Sequence, residues 1–205
     1  MLQQFDVTSI NIGIATGSVY DDVGLRRSGF PAEGFVNSSV LLIKTHEWGE
    51  NERQKFEKAV LLIRNPFDAL LAEFNRRVGG HRGHATEEHF RDGTVWERYV
   101  TQMSRAWVAM NYDWLRFDRS LHVIFYENLK RNVTREVIEL LRFLNSEVSS
   151  EDMSCMESNS DGKFRRKRKA RSDFQFSSEM NDYINNYREI LKHELRKKAY
   201  DRIEV

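Results

Sequence analysis

Three short apolar runs end at side chains capable of chemistry: Val40-Leu41-Leu42-Ile43 at Lys44-Thr45-His46, Val60-Leu61-Leu62-Ile63 at Arg64-Asn65-Pro66, and Val123-Ile124-Phe125 at Tyr126-Glu127. An imidazole, whose usual pKa lies close to neutrality, can take a proton from a hydroxyl, and an ammonium beside it can neutralise charge growing on a leaving oxygen. Alternate side chains of an extended chain share a side, so Lys44 and His46 can face one crevice; a partly exposed strand end with no task is the competing reading. Arg64, directed by the turn at Pro66, suits bidentate contact with phosphate or sulfate oxygens, and a salt bridge to Asp68 or Glu73 competes with that role. Together a Lys, a His, an Arg and a Tyr at strand ends describe a site for an anionic ligand.

The elements that would position these residues follow from the patterning. Near-continuous apolar strands without polar alternation suit a parallel sheet covered on both faces, and ligands of such sheets lie beyond the carboxyl ends of the strands. Pro66 opens a helix carrying Phe67, Leu70, Leu71 and Phe74 and ending at Gly79-Gly80. Trp96, Tyr99, Val100, Met103, Trp107, Met110 and Trp114 recur at three- and four-residue steps, which predicts one long helix over 94–117 with the aromatic stripe in the core. Helices are expected near 133–145, after a Ser149 or Ser150 cap, and from Ser178 through Leu195. Strands alternating with helices are the α/β signature. Residues 1–38, punctuated by glycines, read as an irregular N-terminal segment with one helix or strand, and 39–205 as a single domain. The stretch from Gly79 to Gly93, with His81, His84 and His89, reads as a mobile loop whose histidines are solvated rather than metal ligands.

Composition narrows the classes further. With 32 Lys+Arg against 31 Asp+Glu, no global field draws the chain to nucleic acid or to an acidic membrane. The one cysteine, Cys155, excludes an internal disulfide framework and reads as a packing residue. No run approaches the roughly 20 apolar residues that cross a bilayer, and no signal peptide is legible at the N-terminus. Two glycosylation sequons, at Asn37 and Asn132, would fit a luminal protein. One segment is strongly biased: Lys163, Arg165, Arg166, Lys167, Arg168, Lys169 and Arg171 surround Phe164. An aromatic inside the run would pin it against the domain and hold Arg166 and Lys167 over a phosphate; solvated charge, a nuclear address and RNA contact are the alternatives.

Set in chain order, Lys44-Thr45-His46, Arg64-Asn65-Pro66-Phe67-Asp68, Phe125-Tyr126-Glu127-Asn128-Leu129 and Phe164-Arg165-Arg166-Lys167 resemble the sulfotransferase superfamily. Within it the likeness is greatest to the sulfotransferase region of the WSC-domain-containing family, through Ala15-Thr16-Gly17-Ser18-Val19-Tyr20-Asp21, Ile43 to Glu47, Leu61 to Pro66 running into Ala72 to Arg76, and Phe164-Arg165-Arg166. The resemblance implies a three-layer α/β sandwich with a mostly parallel sheet, akin to P-loop NTPases. It implies transfer of a sulfuryl group from 3′-phosphoadenosine 5′-phosphosulfate to a glycan hydroxyl in the Golgi, with sialic acid a suggested acceptor and no metal. By the same resemblance His46 is the general base, Lys44 steadies the transferring group, Arg64 holds the 3′-phosphate with Arg166 and Lys167, and Tyr126 lies near the adenine.

The sequence departs from the superfamily pattern at three points. No stretch like Pro-x-x-Gly-x-Thr-Trp is present, and Met1 to Gln4 resembles the helix that follows such a loop, so the chain is expected to be N-terminally incomplete, without the first strand and phosphosulfate loop. Ala72 stands where many members have serine, and Arg168 where a glycine follows the basic pair. Two other readings stay open: a catalytically inactive nucleotide-binding module, able to associate with a full-length relative, and an RNA-binding segment at 165–171.

Overall fold

A computed structural model describes residues 15–29, 32–80, 83–91, 93–158, 176–198 and 200. These fall into two compact units: one holds Trp48–Asn132 with the described part of Phe164–Val205, the other the described parts of Gln4–Glu47 and Val133–Lys163.

In the first unit two apolar runs pair as parallel strands, β3 (Lys58–Ile63) and β4 (Ser120–Phe125), in unbroken register from Lys58↔Ser120 to Ile63↔Phe125. At the end of β3 the chain turns at once into helix α3 (Pro66–Gly79). The Asn65 side chain caps it by accepting the Phe67 N–H at 3.1 Å, and Pro66 occupies the first helical turn, where its missing N–H costs nothing. At the other end Gly80 takes φ 69°, the left-handed conformation that stops a helix and suits glycine.

The predicted aromatic stripe lies on α5 (Gly93–Leu115), and it is core. Trp107, Val108, Met110, Trp114 and Leu115 pack with Leu61, Ile63, Val123 and Phe125 of the strands and with Leu191 and Leu195 of α9 (Ser178–Lys197). Nearer the start of α5, Trp96, Tyr99 and Val100 pack with Leu70 and Phe74 of α3 and with Met180 and Ile184 of α9. Phe74 sits 4.6 Å from the Trp96 ring and 5.0 Å from Tyr99, tilted against both, the arrangement ring quadrupoles favour.

Two of this unit's short helices lie beside the core. α2 (Glu50–Arg53) is fastened to α5 because the Asp113 carboxylate receives the Gly49 N–H at 2.7 Å and pairs with the Arg53 guanidinium. Where the sequence predicts a loop between Gly79 and Gly93, the structure forms a helical turn, α4 (Glu87–Arg91). Its one apolar residue, Phe90, is buried against Phe74 and Trp96, and Asn75 holds the approach by accepting the Ala85 N–H at 2.7 Å.

In the second unit β2 (Val40–Lys44) pairs in parallel with β1 (Ala15–Ser18), with Thr16↔Leu42, Gly17↔Ile43 and Ser18↔Lys44 in register. Helix α1 (Val23–Arg27) follows β1, capped by Asp22. Part of the segment expected to be irregular is therefore a strand and a helix. Helices α7 (Val133–Leu144) and α8 (Ser150–Ser158) also belong here. Ser149 and Asp152 cap α8 reciprocally, each backbone N–H bonded to the other's side chain. Among the described residues no helix is long and apolar enough to cross a membrane.

Candidate functional site

Parallel pairing decides which side chains meet beyond the strand ends. Because Ile63 stands opposite Phe125, Arg64 and Tyr126 leave β3 and β4 side by side. Tyr126 is the first residue of a short helix, α6 (Tyr126–Arg131), and its ring lies 4.4 Å from the Arg64 guanidinium carbon, a cation–π contact. Burial pushes the Arg64 pKa down, opposed by Tyr126 and by the carboxylates of Asp68 and Glu127. Glu127 also fixes the turn after Arg64, accepting the Asn65 N–H at 3.0 Å. The salt bridge to Glu73 that competed for Arg64 goes elsewhere, since Glu73 is held by Arg76 and Arg77. A guanidinium inserted at the root of a helix and flanked by an aromatic face is an arrangement that can grip a phosphate beside a flat ring.

The other strand pair builds a second cluster by the same logic. Ser18 stands opposite Lys44, and the Val19 N–H continues the pairing by donating to the Lys44 carbonyl at 3.1 Å. Two residues beyond that register, Tyr20 and His46 are brought together: the Tyr20 hydroxyl accepts the His46 N–H at 2.8 Å and the rings stack with centroids 5.6 Å apart. The same hydroxyl donates to Glu47 Oε1 at 3.0 Å. Burial raises the Tyr20 pKa, the His46 N–H opposes that shift, and Glu47 adds to it. Lys44 Nζ sits 5.8 Å over the Tyr20 ring and 3.5 Å from Glu33 Oε1. Glu33 is 4% exposed and its other carboxylate oxygen has no hydrogen-bond partner among the described residues. Lys44 and His46 are thus held in one cluster, as their alternation predicts, and Lys44 is neutralised by a buried carboxylate.

Of the six residues singled out from sequence, Lys44, His46, Arg64 and Tyr126 occupy strand ends as expected, whereas Arg166 and Lys167 lie outside the described residues. Their partners Tyr20, Glu33, Glu47 and Glu127 were not singled out as site residues. Tyr20 and Glu47 stood inside segments of the family likeness without a role, and Glu33 carried no signal at all. Among the described residues no group of three or more His, Cys, Asp or Glu could hold a metal ion.

The arrangement of parallel strands and packed helices is that of the sulfotransferase fold. A mouse sulfotransferase, SULT7A1, whose crystal structure is complexed with PAP, superposes with a TM-score of 0.54 at 14% identity, covering 91% of this chain and 75% of that one. The family model for the sulfotransferase domain matches residues 35–202, and the chain belongs to that family. Within it the chain is similar to WSCD family members of insects. CG9164 of Drosophila melanogaster is 41% identical over 182 residues, covering 87% of this chain and 57% of that relative. A member from Aedes aegypti is 41% identical over 179 residues, covering 86% and 56%. The chain spans somewhat over half the length of the curated relatives it matches.

Proposed function

We propose that this chain transfers a sulfuryl group from 3′-phosphoadenosine 5′-phosphosulfate to a hydroxyl of a glycan, with sialic acid as the suggested acceptor and the Golgi as the compartment. The observation that carries the reading is the half-buried Arg64 guanidinium against the Tyr126 ring, a cation and an aromatic face suited to a nucleotide's 3′-phosphate and adenine. Arg166 and Lys167 would add charge to the same phosphate. His46 takes the acceptor proton. Its Nδ1 is buried. As the proton moves, the acceptor oxygen bonds to sulfur and the bond from sulfur to the 5′-phosphate oxygen breaks, the electron pair leaving on adenosine 3′,5′-bisphosphate. Lys44 offsets the charge on the transferring group, exchanging its contact with Glu33 for the donor. Positioning and charge stabilisation supply most of the rate, as in phosphoryl transfer.

The test is transfer of radiosulfur from the labelled donor to sialylated glycans. Labelled glycan is expected with the unmodified chain, and a loss of at least about 100-fold with His46→Ala, the scale of a removed general base. Nucleotide binding without any transfer would overturn the reading in favour of an inactive nucleotide-binding module.

A further inference from the structure

The segment Ala15 to Asp21 belongs to the family likeness yet has no part in the chemistry above. We propose that it is there to deliver Tyr20, and that Tyr20 is the positioning residue of the general base, fixing His46 through its hydroxyl and its ring together. The inference rests on the reading of His46 as that base.

The chain that carries His46 has left its strand: β2 ends at Lys44, and the residues after it form no regular structure up to Gly49. A base on such a segment needs an external hold, because each freely rotating bond multiplies the unproductive orientations. Tyr20 provides it from the chain that leaves the neighbouring strand, two residues beyond Ser18. Its backbone N–H donates to Ser18 Oγ at 3.1 Å, and Ser18 is 2% exposed at the end of β1, so the tyrosine is tied to the buried end of that strand. From there one hydroxyl serves both neighbours of the turn, accepting from His46 N–H and donating to Glu47 Oε1. The backbone of His46 and the carboxylate of Glu47 are thereby tied to a single oxygen, which sets the direction in which the His46 side chain leaves the chain.

The ring contributes a second restraint. Stacked at 29° to the imidazole, it limits rotation of the His46 side chain, and its negative face favours the cation that forms once the proton has been taken. Lys44 also lies over this ring, its Nζ 5.8 Å from the centroid. Thus one tyrosine ring contacts both groups that would act on the transferred sulfuryl.

The experiment uses the 205-residue chain with Tyr20→Phe, which keeps the stacked ring and deletes only the hydroxyl, and Tyr20→Leu, which removes both. Two readouts are taken: the His46 amide and imidazole resonances by NMR, and the steady-state constants for sulfuryl transfer. Tyr20→Phe is expected to shift the His46 amide upfield and to lower kcat about tenfold with the donor KM within about twofold, the pattern of lost orientation rather than lost binding. Tyr20→Leu is expected to broaden the imidazole signals and lower kcat further. Unmoved His46 resonances in Tyr20→Phe overturn the proposal, as does an unchanged kcat. Should the unmodified chain transfer no sulfuryl group, the functional reading fails, and the resonances alone then decide whether Tyr20 positions His46.

Discussion

The residues that matter most here are charged groups taken partly out of water, and each survives by a particular partnership. Arg64 is held against an aromatic face, Lys44 against a buried carboxylate, and Glu73 between two guanidinium groups. Glu73 gives the clearest pH signature. It is 4% exposed, and burial by itself would raise its pKa, yet bonds from Arg76 at 2.5 and 2.6 Å and from Arg77 at 2.9 Å outweigh that and leave it lowered. A carboxylate with a lowered native pKa contributes stability that is fully present above its unfolded pKa, about 4.3, and is lost as pH falls through the native value. Glu73→Gln is therefore expected to destabilise by about 1–2 kcal/mol at neutral pH, modestly because both arginines are half exposed. Urea unfolding of the two proteins should show that difference shrinking as the pH drops below about 4. A gap of constant size across that range would contradict the assignment.

At the scale of elements, the strand pairs do the positioning, and β1 shows how little sequence signal that requires. Ala15-Thr16-Gly17-Ser18 has neither an apolar run nor alternation, and it is a strand because β2 offers it a parallel edge. Gly17 makes the approach possible: a Cβ there would lie 2.2 Å from the Phe35 carbonyl oxygen and 2.9 Å from Val40 Cγ2. Gly17→Ala should thus push β1 off β2 and cost about 1–3 kcal/mol or more, read as a lowered thermal midpoint together with faster amide exchange at Leu42 and Lys44. An unchanged midpoint would contradict the packing. The elements legible in the sequence were those with a period: three apolar strands and helices α3, α5, α7 and α9. Those not read, α2, α4, α6 and one of β1 and α1 where a single helix or strand was expected, each bury one apolar side chain or none, such as Leu25 for α1 and Phe90 for α4. Sequence spacing found Lys44, His46, Arg64 and Tyr126 for the same reason it found the strands, since each follows an apolar run. It could not find Tyr20 or Glu33 as their partners, because only the parallel register brings them there.

For the whole molecule, an almost neutral chain has no global field to draw an anion, so binding one falls to a few placed cations. The sulfotransferase family match runs from residue 35 to 202 and takes in both compact units, so the likeness is not confined to the strand-end motifs. What binds there is the central claim: a nucleotide carrying a 3′-phosphate, gripped by Arg64. The direct measurement is a calorimetric titration of the chain and of Arg64→Ala with adenosine 3′,5′-bisphosphate. The account predicts saturable binding by the unmodified chain, weakened in the variant by about 2–3 kcal/mol, the scale of a charge-assisted contact to a phosphate. Equal affinity in the two proteins would contradict it.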